Sequence, residues 1–197
     1  MFARRARTLG TIDAHQHLWI LSERQYSWIT PDFVDLYKDF SQREFLEASA
    51  SSKIDGTVLI QSADTYEDTF YMLHVASSHS LIKGVVGWIP LDRTQEAIAA
   101  LEVLRKDPLF KGIRNLTHDY SNPKYESNDR WILRKDVLET LSAIERSGLS
   151  FDYVAVNAGH LESITQVATK FPNLRIVIDH FGKPDIAGKV LEPWKGL

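Results

Sequence analysis

Six short apolar runs, each rich in β-branched or aromatic residues, constrain this chain more than any other feature. They lie at residues 12–19, 57–61, 84–89, 112–115, 151–156 and 174–180. Apolar character without polar alternation is what a strand needs when both its faces are buried in a parallel sheet. An interior sheet is therefore expected.

The segments between these runs have helical spacing. Ser41-Gln-Arg-Glu44 is a capping-box pattern that leads into Phe45, Leu46, Ala48 and Ala50. Thr94 is placed to cap a helix whose Ala97, Ile98, Leu101 and Leu104 form an apolar stripe, closed by Pro108. Val137, Leu138, Leu141 and Ile144 repeat the stripe, with Gly148 where a C-cap glycine belongs. A last helix is predicted over 161–170, ahead of Pro172.

Strands that alternate with helices predict an α/β fold with right-handed crossovers. No Gly-x-Gly-x-x-Gly follows a strand and no Walker sequence is present, which counts against a nucleotide-binding doubly wound sheet. Polar residues collect instead where the apolar runs end: His15, His17, Gln61, Ser62, Arg114, Asn115, Asn157, Asp179 and His180. Chemistry gathered at the C-terminal ends of parallel strands is the habit of a (β/α) barrel.

The 197 residues, 44% apolar and 25% charged, are enough for one domain with a real core. The expected organisation is a short, unstructured basic start at residues 1–10 and one domain over 11–197. With a net charge of -3 and no other basic run, the chain carries no footprint for nucleic acid or an anionic membrane. No apolar stretch approaches the roughly 18 residues that span a bilayer. The expected partner is a small molecule, and the expected location is the cytoplasm rather than the mitochondrion. The absence of cysteine excludes a disulfide framework, a thiolate zinc site and a cysteine nucleophile.

Within IDAHQHLW, residues 12–19, His15 and His17 stand two apart. In an extended backbone both imidazoles leave the same face, so they can address one ion or one substrate oxygen. A bare His-x-His also fits two hydrogen-bonded interior histidines. Asp179-His180 ends another apolar run and points to one site shared between two strand ends. Asp13 can share the face of His15, whereas Asp179 points away from His180 unless the strand has already ended. His118 and His160 follow the fourth and fifth strands, where a substrate contact is open to them, with a loop surface the commoner fate of a lone histidine. Among the tryptophans, Trp19 and Trp88 are better placed than Trp28 to wall a pocket.

IDAHQHLW, together with VVGW at 85–88, KGIR at 111–114, FDY at 151–153 and above all VIDHFGKP at 177–184, resembles the amidohydrolase-related family. The nearest branch is that of the sugar-lactone and pyrone-dicarboxylate lactonases. The similarity runs in order from about Thr11 to the last residue. It implies a TIM-type (β/α) barrel of the amidohydrolase superfamily with about six of its eight strands present. It also implies hydrolysis of a sugar lactone or similar cyclic ester by activated water. His15, His17 and His180 are then the catalytic groups, and the ligands of one divalent metal, zinc or similar, where a metal is used. Some lactonases of the branch work without metal, with these groups donating to the lactone carbonyl. Substrate contacts are implied for Arg114, Asn115, Gln61, Trp19 and Trp88, the alternative for Arg114 being a structural salt bridge.

Two departures accompany the resemblance. Asn115 stands where many relatives carry histidine. The sequence ends at Leu197, whereas such barrels need about 250 residues, so the family's general-base aspartate, after the eighth strand, lies outside it. Two other readings follow, an inactive truncated isoform or fragment and a metal-dependent decarboxylase of the same superfamily. Trp19 and the Phe-Gly-Lys-Pro run favour the lactonase branch over the latter. Open edges at the first and sixth strands predict self-association.

Overall fold

The computed structural model describes residues 10–119, 122–125, 128–192 and 194–196. The expected basic start falls almost entirely on residues 1–9, outside the described residues. From there the chain runs β1 (Ile12–Gln16), α1 (Gln42–Ser49), β2 (Gly56–Ile60), α2 (Tyr66–Ser78), β3 (Ile82–Gly87), α3 (Thr94–Leu104), β4 (Phe110–Asn115), α4 (Lys135–Ser147), β5 (Ser150–Tyr153), α5 (Ala158–Lys170) and β6 (Arg175–Ile178). The strands form one sheet in sequential order, every neighbouring pair parallel. This is an incomplete (β/α) barrel with β1 and β6 at its edges. No helix among the described residues is long and apolar enough to cross a membrane.

Burial in the sheet is uneven. Ile113, Phe151 and Tyr153 join the core beneath the helices, where they meet Val137, Leu141 and Ile144 of α4. Arg114 and Asp152 alternate onto the opposite face, and the two are register partners across β4 and β5. The expectation of strands apolar on both faces is thus corrected, because the inner face carries polar side chains. The outer strands are not interior either: Ile12 is 45% exposed, Val177 46% and Ile178 37%. Each lacks a neighbouring strand on one side.

Most predicted strands ran past their true ends. Leu18, Trp19, Trp88, Ile89, Val154 and Ala155 lie beyond the ladders yet are buried, so the apolar pattern followed burial rather than backbone pairing. The helix signals held more closely. The Ser41–Glu44 capping box is present, although no residue of α1 is buried. Gly148 caps α4 at φ 71°, the left-handed region that glycine occupies without steric cost. Thr94 does not cap α3. Its hydroxyl donates instead to the Asp136 carbonyl, 3.0 Å away, and ties α3 to α4. The last helix begins at Ala158, before its predicted start, because the Asn157 side chain accepts from the His160 amide and caps it.

Candidate active site

His15, within β1, and His17, just past its end, are aimed by an irregularity in the ladder. Asp13 pairs with Thr57 and Gln16 with Leu59, so β1 advances three residues while β2 advances two. Such a bulge re-aims side chains at a strand end. His15 Nε2 lies 3.0 Å from His17 Nε2. His17 Nδ1 donates to the Ile60 carbonyl, 2.8 Å away. That bond places the proton on Nδ1 and leaves Nε2 with its lone pair toward the site.

The third histidine arrives by a different route. β6 ends at Ile178, and the chain then takes positive φ at His180 (51°), Phe181 (54°), Gly182 (69°) and Lys183 (45°). Each non-glycine residue in this region costs about 1–2 kcal/mol, and such strain is characteristic of functional sites. Because the strand has ended, Asp179 and His180 do not alternate, and both turn toward His15. The His15 and His180 ring centroids are 4.7 Å apart, and Asp179 Oδ1 is 3.7 Å from His15 Nδ1. Phe181 is left 84% exposed.

Asp179 is held from behind. Arg114 Nε donates to its Oδ2 at 2.7 Å, while Arg114 Nη1 donates to the carbonyl and Oε1 of Gln61 at 2.9 and 3.1 Å. Gln61 Nε2 in turn donates to Asp64 Oδ1 at 2.7 Å. Asp64 also accepts from the Leu116 amide, Lys124 Nζ and the Tyr125 hydroxyl. A second brace fixes the loop after β2. The buried Asp68 carboxylate accepts from the Ser62 and Ala63 amides, and the Ser62 carbonyl accepts from Trp28 Nε1 at 2.8 Å.

His17 and His180 border a cavity of about 280 Å³ lined also by His118, Arg114 and Lys183, with Trp28, Phe33 and Leu116 as its apolar wall; His15 stands behind His17 and is not among its lining residues. Of the residues proposed for substrate contact, only Arg114 lines it, and that side chain is already paired with Asp179. Gln61 is fully buried, with both ends of its amide engaged. Asn115 is buried, its Nδ2 donating to the Ile89 carbonyl. Trp19 packs edge-on against Trp28, with Nε1 donating to the Lys38 carbonyl. Trp88 is buried beside Tyr66 and Lys124.

Sequence reasoning ranked Trp28 behind Trp19 and Trp88 as a pocket wall and put His118 on a loop surface before a substrate contact, whereas both line the cavity; it missed Lys183. Lys183 had a signal, since it falls within VIDHFGKP. His118 lines the cavity from its loop, and His160 is buried. A larger groove of about 540 Å³ runs past Arg24, Tyr26 and Tyr37, but no histidine lines it.

Burial sets the charge state of the site. It pushes His17 down to about 3, helped by Arg114 and His15, and His118 down to about 4, helped by Lys183 and Arg114. His15 and His180 are also lowered, chiefly by burial, with Asp179 opposing. In all four the shift favours the neutral ring. Lys183 is lowered by burial and by the neighbouring Arg114 charge.

The donor set suits a zinc-class ion. His15, Asp179 and His180 bring ligand atoms within 4.8 Å of one another. Two nitrogens on one tetrahedral zinc lie about 3.3 Å apart, close to the 3.0 Å between His15 and His17. Asp179 Oδ1 is buried and has no hydrogen-bond partner among the described residues.

Comparison with known proteins follows the same direction. The amidohydrolase family profile matches residues 12–197. The L-fucono-1,5-lactonase of Burkholderia ambifaria is 38% identical over 93% of this chain and 60% of that protein. The crystal structure of an amidohydrolase from Burkholderia multivorans with bound zinc aligns with a TM-score of 0.82 at 20% identity, over 95% of this chain and 64% of that one. The structure of a probable 2-pyrone-4,6-dicarboxylic acid hydrolase from Acinetobacter baumannii, with citric acid bound, gives 0.65 at 18% identity, over 90% and 60% of the two chains. The chain therefore spans 60% of the length of the curated lactonase.

Proposed function

The chain belongs to the amidohydrolase family, and from that premise we propose that its histidine-lined cavity opens a cyclic ester, a sugar lactone, with water. The observation that carries this reading is the convergence of His15, His17 and His180, the last two lining one cavity, with Asp179 locked beside them by Arg114. The 38% identity to an L-fucono-1,5-lactonase supports a six-carbon sugar lactone as the substrate class.

Attack of water on a lactone carbonyl builds negative charge on the carbonyl oxygen, so groups preorganised around that oxygen lower the barrier. In this reading His15, His17 and His180 surround it, and their neutral nitrogens serve as donors or as ligands. The three histidines, with Asp179 beside them, would hold one divalent ion, zinc or similar. When bound, such an ion supplies Lewis acidity at the carbonyl and acidifies water. Arg114 and Gln61 are positioning residues: Arg114 lines the cavity with its guanidinium committed to Asp179, and Gln61 holds Arg114 from behind. Trp28 and Phe33 exclude water from one wall. Self-association is proposed to run through the exposed apolar residues of β6 and the turn that follows.

The test is the opening of L-fucono-1,5-lactone, followed by proton release with a pH indicator, with and without added zinc. The wild type should exceed the buffer rate, and His15→Ala should return it to that rate. A wild-type rate equal to buffer under both conditions, or a His15→Ala rate equal to wild type, would contradict the reading.

A further inference from the structure

The charges lining the cavity do not balance. Arg114 is paired with Asp179 at 2.7 Å. Lys183 makes no ion pair among the described residues, and no carboxylate is among the residues that line the cavity with it. One surplus positive charge therefore faces the space beside His180. His118 lines the same space, and its Nδ1 is buried without a hydrogen-bond partner among the described residues. The left-handed turn at 180–183 turns His180 and Lys183 to one cavity at a cost in backbone strain, which a surface lysine would not require. An unpaired ammonium beside an unpartnered imidazole is a recognition site for an anion.

Resting on the lactonase reading, we propose that Lys183, with His118 beside it, is an anion subsite that takes the carboxylate released by ring opening. In that reaction the oxygen of water forms the new bond to the carbonyl carbon and the ring C–O bond breaks. The ring oxygen takes up a proton and becomes a hydroxyl. The new carboxylic acid loses a proton to solvent and becomes the anion that Lys183 receives. The lactone itself carries no charge, so the subsite discriminates product from substrate and makes the open-chain acid a product inhibitor.

The experiment compares, by isothermal titration calorimetry on the whole chain, L-fuconate with L-fucitol, which has the same skeleton with a hydroxymethyl group in place of the carboxylate. A charge-assisted contact predicts that wild type binds L-fuconate on the order of tenfold or more tightly than L-fucitol, with a ratio that falls as salt is raised. Lys183→Gln should bring the ratio close to one, and Lys183→Arg should restore most of it. The salt dependence of the wild-type ratio tests the proposal even if a variant does not fold. Equal binding of the two ligands by wild type, or an unchanged ratio in a folded Lys183→Gln, would overturn it. Galactarate, acidic at both ends, binding an order of magnitude tighter than L-fuconate would overturn the assignment to one product carboxylate. A ratio near one with lactone still opened removes the subsite alone. A large ratio with no lactone opened removes the lactonase reading alone.

Discussion

Breaking the buried pair between Arg114 and Asp179 should destabilise the chain more than removing it altogether. The two side chains are 5% and 1% exposed, so neither has water to fall back on. Asp179→Ala strands the guanidinium with only the two Gln61 oxygens as acceptors, and losing one partner of such a pair costs about 3–5 kcal/mol. Arg114→Met strands a carboxylate whose Oδ1 already lacks a partner. It also takes the donor from Gln61 Oε1, which adds about 1–3 kcal/mol for an unsatisfied buried acceptor. The double variant leaves neither member of the pair stranded. The Gln61 carbonyl and Oε1 both lose their Arg114 donor, an expected cost on the order of 1–3 kcal/mol. Urea unfolding followed by far-ultraviolet circular dichroism, with a chelator present to exclude metal, measures all three. The double variant should be more stable than either single one. Single variants within about 1 kcal/mol of wild type, or a double variant as unstable as the two singles summed, would refute the reasoning.

Two further outcomes are expected. Burial pushes Asp68 up to about 6, above an unfolded value near 3.9. The native state therefore holds the extra proton between these values, and this carboxylate's contribution to stability falls as pH rises from about 4 to 6. Asp68→Asn should gain about 2–3 kcal/mol on wild type across that window and nothing outside it, so a difference that does not vary with pH contradicts the assignment. The exposed apolar residues of the β6 edge, Val177 and Ile178, with Phe181 beyond it, should drive association in sedimentation velocity. Val177→Lys with Phe181→Ser should reduce it, whereas a wild type that stays monomeric at high concentration argues against the edge as a contact.

The alternation of strands and helices was legible because both periods leave a local imprint. β2 to β5, the α4 stripe, Gly148 and the capping box at Ser41 all follow from neighbouring residues. Strand ends were not legible, since buried residues such as Trp88 and Ile89 continue the apolar pattern after pairing stops. The convergence of His15, His17 and His180 could be read from the rule that parallel strands deliver their C-terminal ends to one mouth. The orientation of Asp179 could not, because it depends on a left-handed turn of mostly non-glycine residues that no local propensity favours. The partner of Arg114 lies 65 residues away, and sequence spacing could not distinguish that structural pair from a substrate contact. Trp28, His118 and Lys183 reach the cavity from loops, so only the tertiary arrangement shows that they meet.

The central claim is that histidines from the first and sixth strands act on one bound species, and a double-mutant cycle in zinc affinity tests it most directly. Zinc titrated into wild type, His15→Ala, His180→Ala and the double variant gives four affinities. If the residues share one ion, each single variant loses tenfold or more, and the double variant loses little beyond either single, because a site broken once cannot be broken again. Independent losses that add in the double variant, or single variants that bind zinc as wild type does, would place His15 and His180 in separate sites and contradict the account.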